Sequence, residues 1–180
     1  MSTCNGGWLV QQDWASQPHF YIFRIFNMLN RPCWDQYFMG LAYYTSIRSH
    51  DSQTKVGCVI VNEHNNIVSM GYNGFPKSVD DSNLPIVRPE KYPFMVHAEE
   101  NAISNIISKS YNNLKVYLTH FPCHRCAKLL WQNNIKKWYI EAGNLVDSSS
   151  EDDIKVYKLL EENGLEIIEI ETNKDLILGG

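Results

Sequence analysis

Two cysteines three residues apart, Cys123 and Cys126, follow Pro122 and open an amphipathic run, "CHRCAKLLWQN". Such a pair is a redox couple, half of a closed structural zinc site, or two ligands of a catalytic zinc. Upstream lies a second chemical group, His97-Ala98-Glu99, at the head of the run "HAEENAISNIIS". An imidazole and two thiolates make three ligands of the kind zinc takes, and three ligands with an open fourth position mark a catalytic rather than a structural centre. A metal so held lowers the pKa of its water from about 15.7 to about 7. Glu99, one residue beyond Ala98, is placed as a proton shuttle rather than a ligand. A closed site completed by Cys58 or another histidine, and a redox pair, are the competing readings; His64, His120 and His124 read as surface or site-lining groups, and His19 and His50 have no partner pattern.

These groups need elements to bring them together. Pro32 suits a helix start, and Trp34, Tyr37, Phe38, Leu41, Ala42, Thr45 and Ile47 recur at helical spacing. "VGCVIVN" reads as a buried strand, "EHNN" as a turn and "IVSMGYN" as the returning strand. Residues 74–96 hold four prolines and form a long loop, a length that tends to be functional. Residues 97–108 read as a helix with Ala98, Ala102, Ile103, Ile106 and Ile107 as its apolar stripe, then "KVYLT" as a strand, the Cys123 run as a helix and "KKWYIEA" as a strand. "SEDDIKVYKLLEENG" has acids in its first turn and Gly164 as its stop, and "EIIEIE" is a final strand. The order α-β-β-α-β-α-β-α-β predicts a mixed sheet with helices on both faces. Helices entered from the same end of that sheet would bring His97 next to the cysteine pair.

Composition bounds the partners. The 180 residues suit one domain, with 44% apolar and 20% charged residues and a net charge of −4. With a sequence pI near 5.8, no basic field attracts a polynucleotide, whereas a small phosphorylated substrate needs only one or two cations. Five cysteines, an odd number with one close pair, point to a reducing compartment. No stretch approaches the roughly 20 apolar residues of a membrane span. The aromatic-rich residues 1–31 read as an arm, 32–172 as the domain and 173–180 as a tail.

His-x-Glu followed by Pro-Cys-x-x-Cys is the zinc deaminase signature. With "WDQYFMGLAYYTSIRSHDSQTKVGCVIV", "GYNGFP", "HAEENAI" and "YLTHFPCHRCAKLL", the chain from residue 34 to 143 resembles the deoxycytidylate (dCMP) deaminases. The resemblance implies a cytidine-deaminase-like three-layer α/β/α fold around a five-stranded mixed sheet. It implies hydrolysis of dCMP to dUMP and ammonia, with His97, Cys123 and Cys126 on zinc and Glu99 as shuttle. Asn73 and the backbone N–H of Ala98 would touch substrate, and Gly71, Tyr72, Asn73 and Gly74 would link the site to an allosteric nucleotide pocket. It also implies dCTP activation, dTTP inhibition, Mg2+ carried with the effector triphosphate, a homo-hexamer, and a cytoplasmic location (the host's, for a viral source). Arg48, Lys55, Arg88 and Lys91 are candidate phosphate contacts. Deamination of dCTP or another nucleobase, and a non-catalytic nucleotide-binding zinc module, are the other functions that this sequence carries. "KSVDDSNLP" lacks the cysteine that some relatives use for a second zinc, and "EAGNLVDSSS" lacks a tyrosine common after the fourth strand. Glu100 stands where an apolar residue is commoner.

Overall fold

The computed structural model describes residues 31–107, 112–143 and 150–172. Its order is α1 (Trp34–Ser46), β1 (Gly57–Val61), β2 (Ile67–Tyr72), a 3-10 turn (Tyr92–Phe94), α2 (Ala98–Ser104), β3 (Lys115–Leu118), α3 (His124–Gln132), β4 (Lys137–Glu141), α4 (Glu151–Glu162) and β5 (Glu166–Ile170). That is the expected succession. The sheet order is β2-β1-β3-β4-β5. β1 pairs antiparallel with both β2 and β3, and β3, β4 and β5 run parallel, so the sheet is mixed as the pattern predicts. The tail, and all of the arm but Arg31, lie outside the described residues.

β1 is buried at every position because helices cover both faces, and alternation is lost in a strand covered twice. On one face Cys58, Ile60, Val116, Leu118, Trp138 and Ile140 pack under α2, α3 and α4. On the other, Val59, Val61, Tyr117, Tyr139 and Ile170 pack under α1, the one helix on that face among the described residues. β2 is an edge strand, and α2 covers its free carbonyls: Asn101 Nδ2 donates to Tyr72 O at 2.8 Å and Asn105 Nδ2 to Met70 O at 3.0 Å. Two asparagines one helical turn apart thus meet two carbonyls two strand residues apart, and the edge has fewer free acceptors to offer another strand.

Two expectations need correction. The α1 stripe is rotated: Phe38, Met39, Gly40, Ala42 and Ser46 are buried, whereas Trp34 and Tyr37 are over 40% exposed and Ile47 is 50% exposed. The cause is close approach, since a Cβ on Gly57 would stand 1.9 Å from the Ala42 carbonyl oxygen. A line of small residues must therefore face the sheet, and the large aromatics stack beside it, Trp34 on Phe38 at 5.5 Å. α2 is also shorter than the pattern, ending at Ser104 with Asn105 as its cap. Asn105 spends its amide on β2, so the stop is set by packing rather than by a glycine.

Among the described cysteines, Cys58, Cys123 and Cys126 are free and Cys33 is disulfide-bonded, a bond that the odd cysteine count does not announce.

Candidate metal centre and active site

β2 leads to α2 and β3 leads to α3, and both helices begin at the same end of the sheet. His97 is the N-cap of α2 and Cys123 the N-cap of α3, each in extended backbone. A cap residue sits half outside its helix, so its side chain is free to turn toward a neighbouring helix start. His97 Nδ1 lies 3.7 Å from Cys123 Sγ and 3.4 Å from Cys126 Sγ. The three ligand atoms all fall within 4.8 Å of one another.

The donor set fits zinc. Tetrahedral bonds of about 2.3 Å to sulfur and about 2.05 Å to nitrogen require N···S separations of about 3.6 Å, and the two distances bracket that value. The cluster holds three members among the described residues, leaving one position for water or substrate. Cys58, the candidate fourth ligand of a closed site, is buried in the core and outside the cluster.

Electrostatics favour the deprotonated form in one of the three donors, Cys123, and the protonated form in the other two. The Cys126 thiol and His97 both hydrogen-bond Cys123, and against the opposing effect of burial they pull its thiol down to about 3. The same bond, with burial, pushes Cys126 up, and the Cys123 thiolate raises His97 to about 9. Zinc takes deprotonated ligands and releases their protons on binding. Glu99 is only 3% exposed. Burial raises its carboxyl, with the nearby Cys123 acting in the same direction and His97 against it. A carboxyl so placed takes and returns a proton more readily near neutral pH than an exposed one does.

Two carboxylates to which the sequence assigns no role hold the helix starts. Glu100 Oε2 accepts the His97 backbone N–H at 2.8 Å, which accounts for its departure from an apolar residue. The spacing is that of a capping box, but histidine is not one of the cap residues by which the pattern is recognised. Asp153, in the first turn of α4, accepts the His124 N–H at 2.6 Å and faces His124 Nδ1 at 2.9 Å. The signal Ser150-x-x-Asp153 marks α4's own cap, and its reach to α3 is a tertiary fact.

The remaining site residues divide. Ala98 is the first residue of α2, where the N–H has no acceptor within its helix. Asn73 is buried, and its side chain is engaged by its own protein: Oδ1 accepts from Val56 N at 2.8 Å, and Nδ2 donates to Thr54 O at 2.9 Å and Asp51 Oδ2 at 3.3 Å. Gly71 does permit close backbone approach, to α2: a Cβ there would lie 2.2 Å from Ala98 O and 2.4 Å from Ala102 N. Tyr72 offers its carbonyl to Asn101, and Gly74 pairs with Val96, the residue before His97. The GYNG segment therefore adjoins the site through α2 and Val96. Lys91 is not a free cation, because its Nζ lies 2.6 Å from both oxygens of Asp51 and both side chains are buried. Arg88 donates to Thr54 Oγ1, and Arg48 and Lys55 are exposed. His120 is half-buried, with Nδ1 3.2 Å from Thr119 Oγ1.

A three-layer α/β/α sheet carrying a His/Cys/Cys cluster on adjoining helix starts defines the class: the cytidine-deaminase-like metal proteins. Residues 32–142 match the model of the cytidine and deoxycytidylate deaminase zinc-binding region, and the chain belongs to that family. It is 48% identical over 108 residues to a probable deoxycytidylate deaminase of Caenorhabditis elegans, covering 58% of this chain and 55% of that one. It is 43% identical over 110 residues to the deoxycytidylate deaminase of Homo sapiens, covering 58% of this chain and 62% of the relative. The matches thus span little more than half the length of these curated relatives. The apo dCMP deaminase of cyanophage S-TIM5 superposes with a TM-score of 0.60 at 27% identity, over 78% of this chain and 100% of that one. No helix among the described residues is long and apolar enough to cross a membrane.

Proposed function

We propose that the chain hydrolyses dCMP to dUMP and ammonia. The observation that carries this reading is the three-donor cluster of His97, Cys123 and Cys126 with the buried Glu99 carboxyl two residues beyond His97. The names of the relatives supply the substrate. Zinc held by the three donors would lower the pKa of a bound water, so that a nucleophile is available at neutral pH. Glu99 would accept a proton from the attacking water and pass it to N3 of cytosine as C4 gains a hydroxyl. It would then carry the hydroxyl proton to the amino nitrogen, so that ammonia leaves and a carbonyl remains at C4. The Ala98 N–H is the donor to the base carbonyl, and burial around Glu99 keeps bulk water from competing for its proton.

Asn73 serves the substrate through the 51–56 loop that its side chain holds. The Gly71–Gly74 segment couples α2 to an effector site for dCTP and dTTP, with Mg2+ accompanying the triphosphate, in a homo-hexamer. Residues 32–172 form the deaminase domain, with 1–31 as an arm and 173–180 as a tail, and the protein works in the cytoplasm.

The test is the loss of cytosine ultraviolet absorbance when zinc-loaded protein meets dCMP, dCTP, CMP or deoxycytidine, with and without dCTP and dTTP. Turnover selective for dCMP is expected, with Glu99→Ala slower by about 10²- to 10⁴-fold at unchanged zinc content. Zinc-loaded protein that turns over no cytosine nucleotide would overturn the proposal.

A further inference from the structure

We propose that Asp153 is a positioning residue of the metal centre, a single carboxylate that ties the start of α4 to the start of α3 and so fixes the thiolate pair. Its two oxygens serve different helices. Oδ2 accepts from Ser150 N and Ser150 Oγ, both at 2.8 Å, and closes the cap of its own helix. Oδ1 accepts from the His124 backbone N–H at 2.6 Å and faces the His124 ring at 2.9 Å. An ionised carboxylate only accepts, so the ring presents a hydrogen at Nδ1.

His124 is the first residue of α3, directly after Cys123 and two before Cys126. A second contact stands on the other side of Cys123: the Phe121 ring meets the Tyr157 ring edge-on, with centroids 4.5 Å apart. Tyr157 is one helical turn beyond Asp153 on α4. The stretch that carries the first thiol is therefore held at residues 121 and 124 by two successive turns of the same helix. The hydrogen bond and the ring contact are independent, and both act on the ligand's neighbours rather than on the ligand. Groups that orient metal ligands in this indirect way typically cost about 10- to 100-fold in metal affinity when removed.

The inference rests on the reading of His97, Cys123 and Cys126 as the metal site, and its test separates the two. Zinc affinity of the full chain is measured by competition with a chromophoric chelator, and the thiolate-to-metal spectrum is recorded with cobalt in place of zinc. Asp153→Ala and Asp153→Asn are compared with Ser150→Ala. The serine variant weakens the cap of α4 but leaves both bonds to His124. The asparagine variant keeps the side chain's shape and one acceptor, so it decides the matter if the alanine variant does not fold. We expect about 10-fold weaker zinc binding and an altered cobalt spectrum in both Asp153 variants, with Ser150→Ala within twofold of the parent. Parental affinity and spectrum in Asp153→Asn would overturn the proposal, as would equal weakening in Ser150→Ala, since Asp153 would then act only as a cap. A parent chain that binds no zinc would overturn the metal centre itself.

Discussion

Replacing Gly71 with alanine tests how the fold sets the site. The added methyl would stand 2.2 Å from Ala98 O, 2.4 Å from Ala102 N and 2.9 Å from Ala102 Cα, all backbone atoms that no rotamer change can move aside. Ordinary contact begins at 3.4 Å, so α2 must retreat by about 1.2 Å. Overpacking of this kind costs about 1–3 kcal/mol. The retreat also stretches three hydrogen bonds between α2 and β2, from Ser69 Oγ, Asn101 Nδ2 and Asn105 Nδ2. At about 0.5–1.5 kcal/mol each, partial loss brings the total to about 3–5 kcal/mol. For a chain of this size Tm then falls by roughly 6–20 °C. His97 and Glu99 ride on the displaced helix, and a misplacement of about 1 Å costs about 10²-fold in rate. Thermal unfolding by circular dichroism, zinc titration and dCMP turnover read the three effects. Gly74→Ala is the control within the same motif, because its methyl would meet only the Tyr72 ring, at 3.7 and 3.9 Å. Its stability should stay within about 0.5 kcal/mol. A Gly71→Ala protein with parental Tm, zinc affinity and turnover would refute the reasoning.

Two further perturbations follow from the buried charges and the donor cluster. Burial alone would raise the Asp51 carboxyl, but the Lys91 ammonium and the N–H groups of Thr54 and Gln53 hold it below its usual range. A depressed carboxyl stabilises the fold fully above its unfolded pKa of about 3.9, and that contribution is lost as pH falls through the folded value. Asp51→Asn leaves Lys91 charged and buried without its partner, so it should cost about 3–5 kcal/mol at pH 7. The gap from the parent should narrow toward pH 3 in urea unfolding, and a gap that stays constant with pH would refute the linkage. Removing zinc with a chelator should lower Tm by the mass-action term, about 2.7 kcal/mol at 100 times Kd. Added zinc should restore it, and no shift in either direction would count against metal at the cluster.

The sequence made the element order and the chemical core legible for physical reasons. Strands buried on both faces leave unbroken apolar runs, and a metal site demands residue types that spacing can expose. What it did not make legible is tertiary. The rotated face of α1 depends on Gly57, whose missing side chain carries no hydrophobic signal. Lys91 reads as a phosphate candidate because its partner, Asp51, lies 40 residues away. Glu100 is obscured because the cap it completes is a histidine, and Asp153 because only folding reveals that its second oxygen serves another helix. The motif offers Asn73 as a substrate contact, and the hydrogen bonds that tie it to the 51–56 loop are not written in its spacing.

The hydrogen bonds that close the two faces differ in their reach along the chain, and that has a consequence for the order of events during synthesis. The donor cluster joins residues 26 to 29 positions apart, all within the stretch from α2 to α3. The contact from Gln36 Nε2 on α1 to Glu171 O just beyond β5 spans 135 positions, and the Tyr117 hydroxyl reaches Asp35 across 82. Short loops close early and long ones late. The three donors are therefore all made before β4 and β5 emerge, whereas the α4 turns that hold residues 121 and 124 come later. α1 precedes every strand among the described residues, yet its full seat exists only once β5 has emerged, and until then the aromatic side chains it buries there stay uncovered.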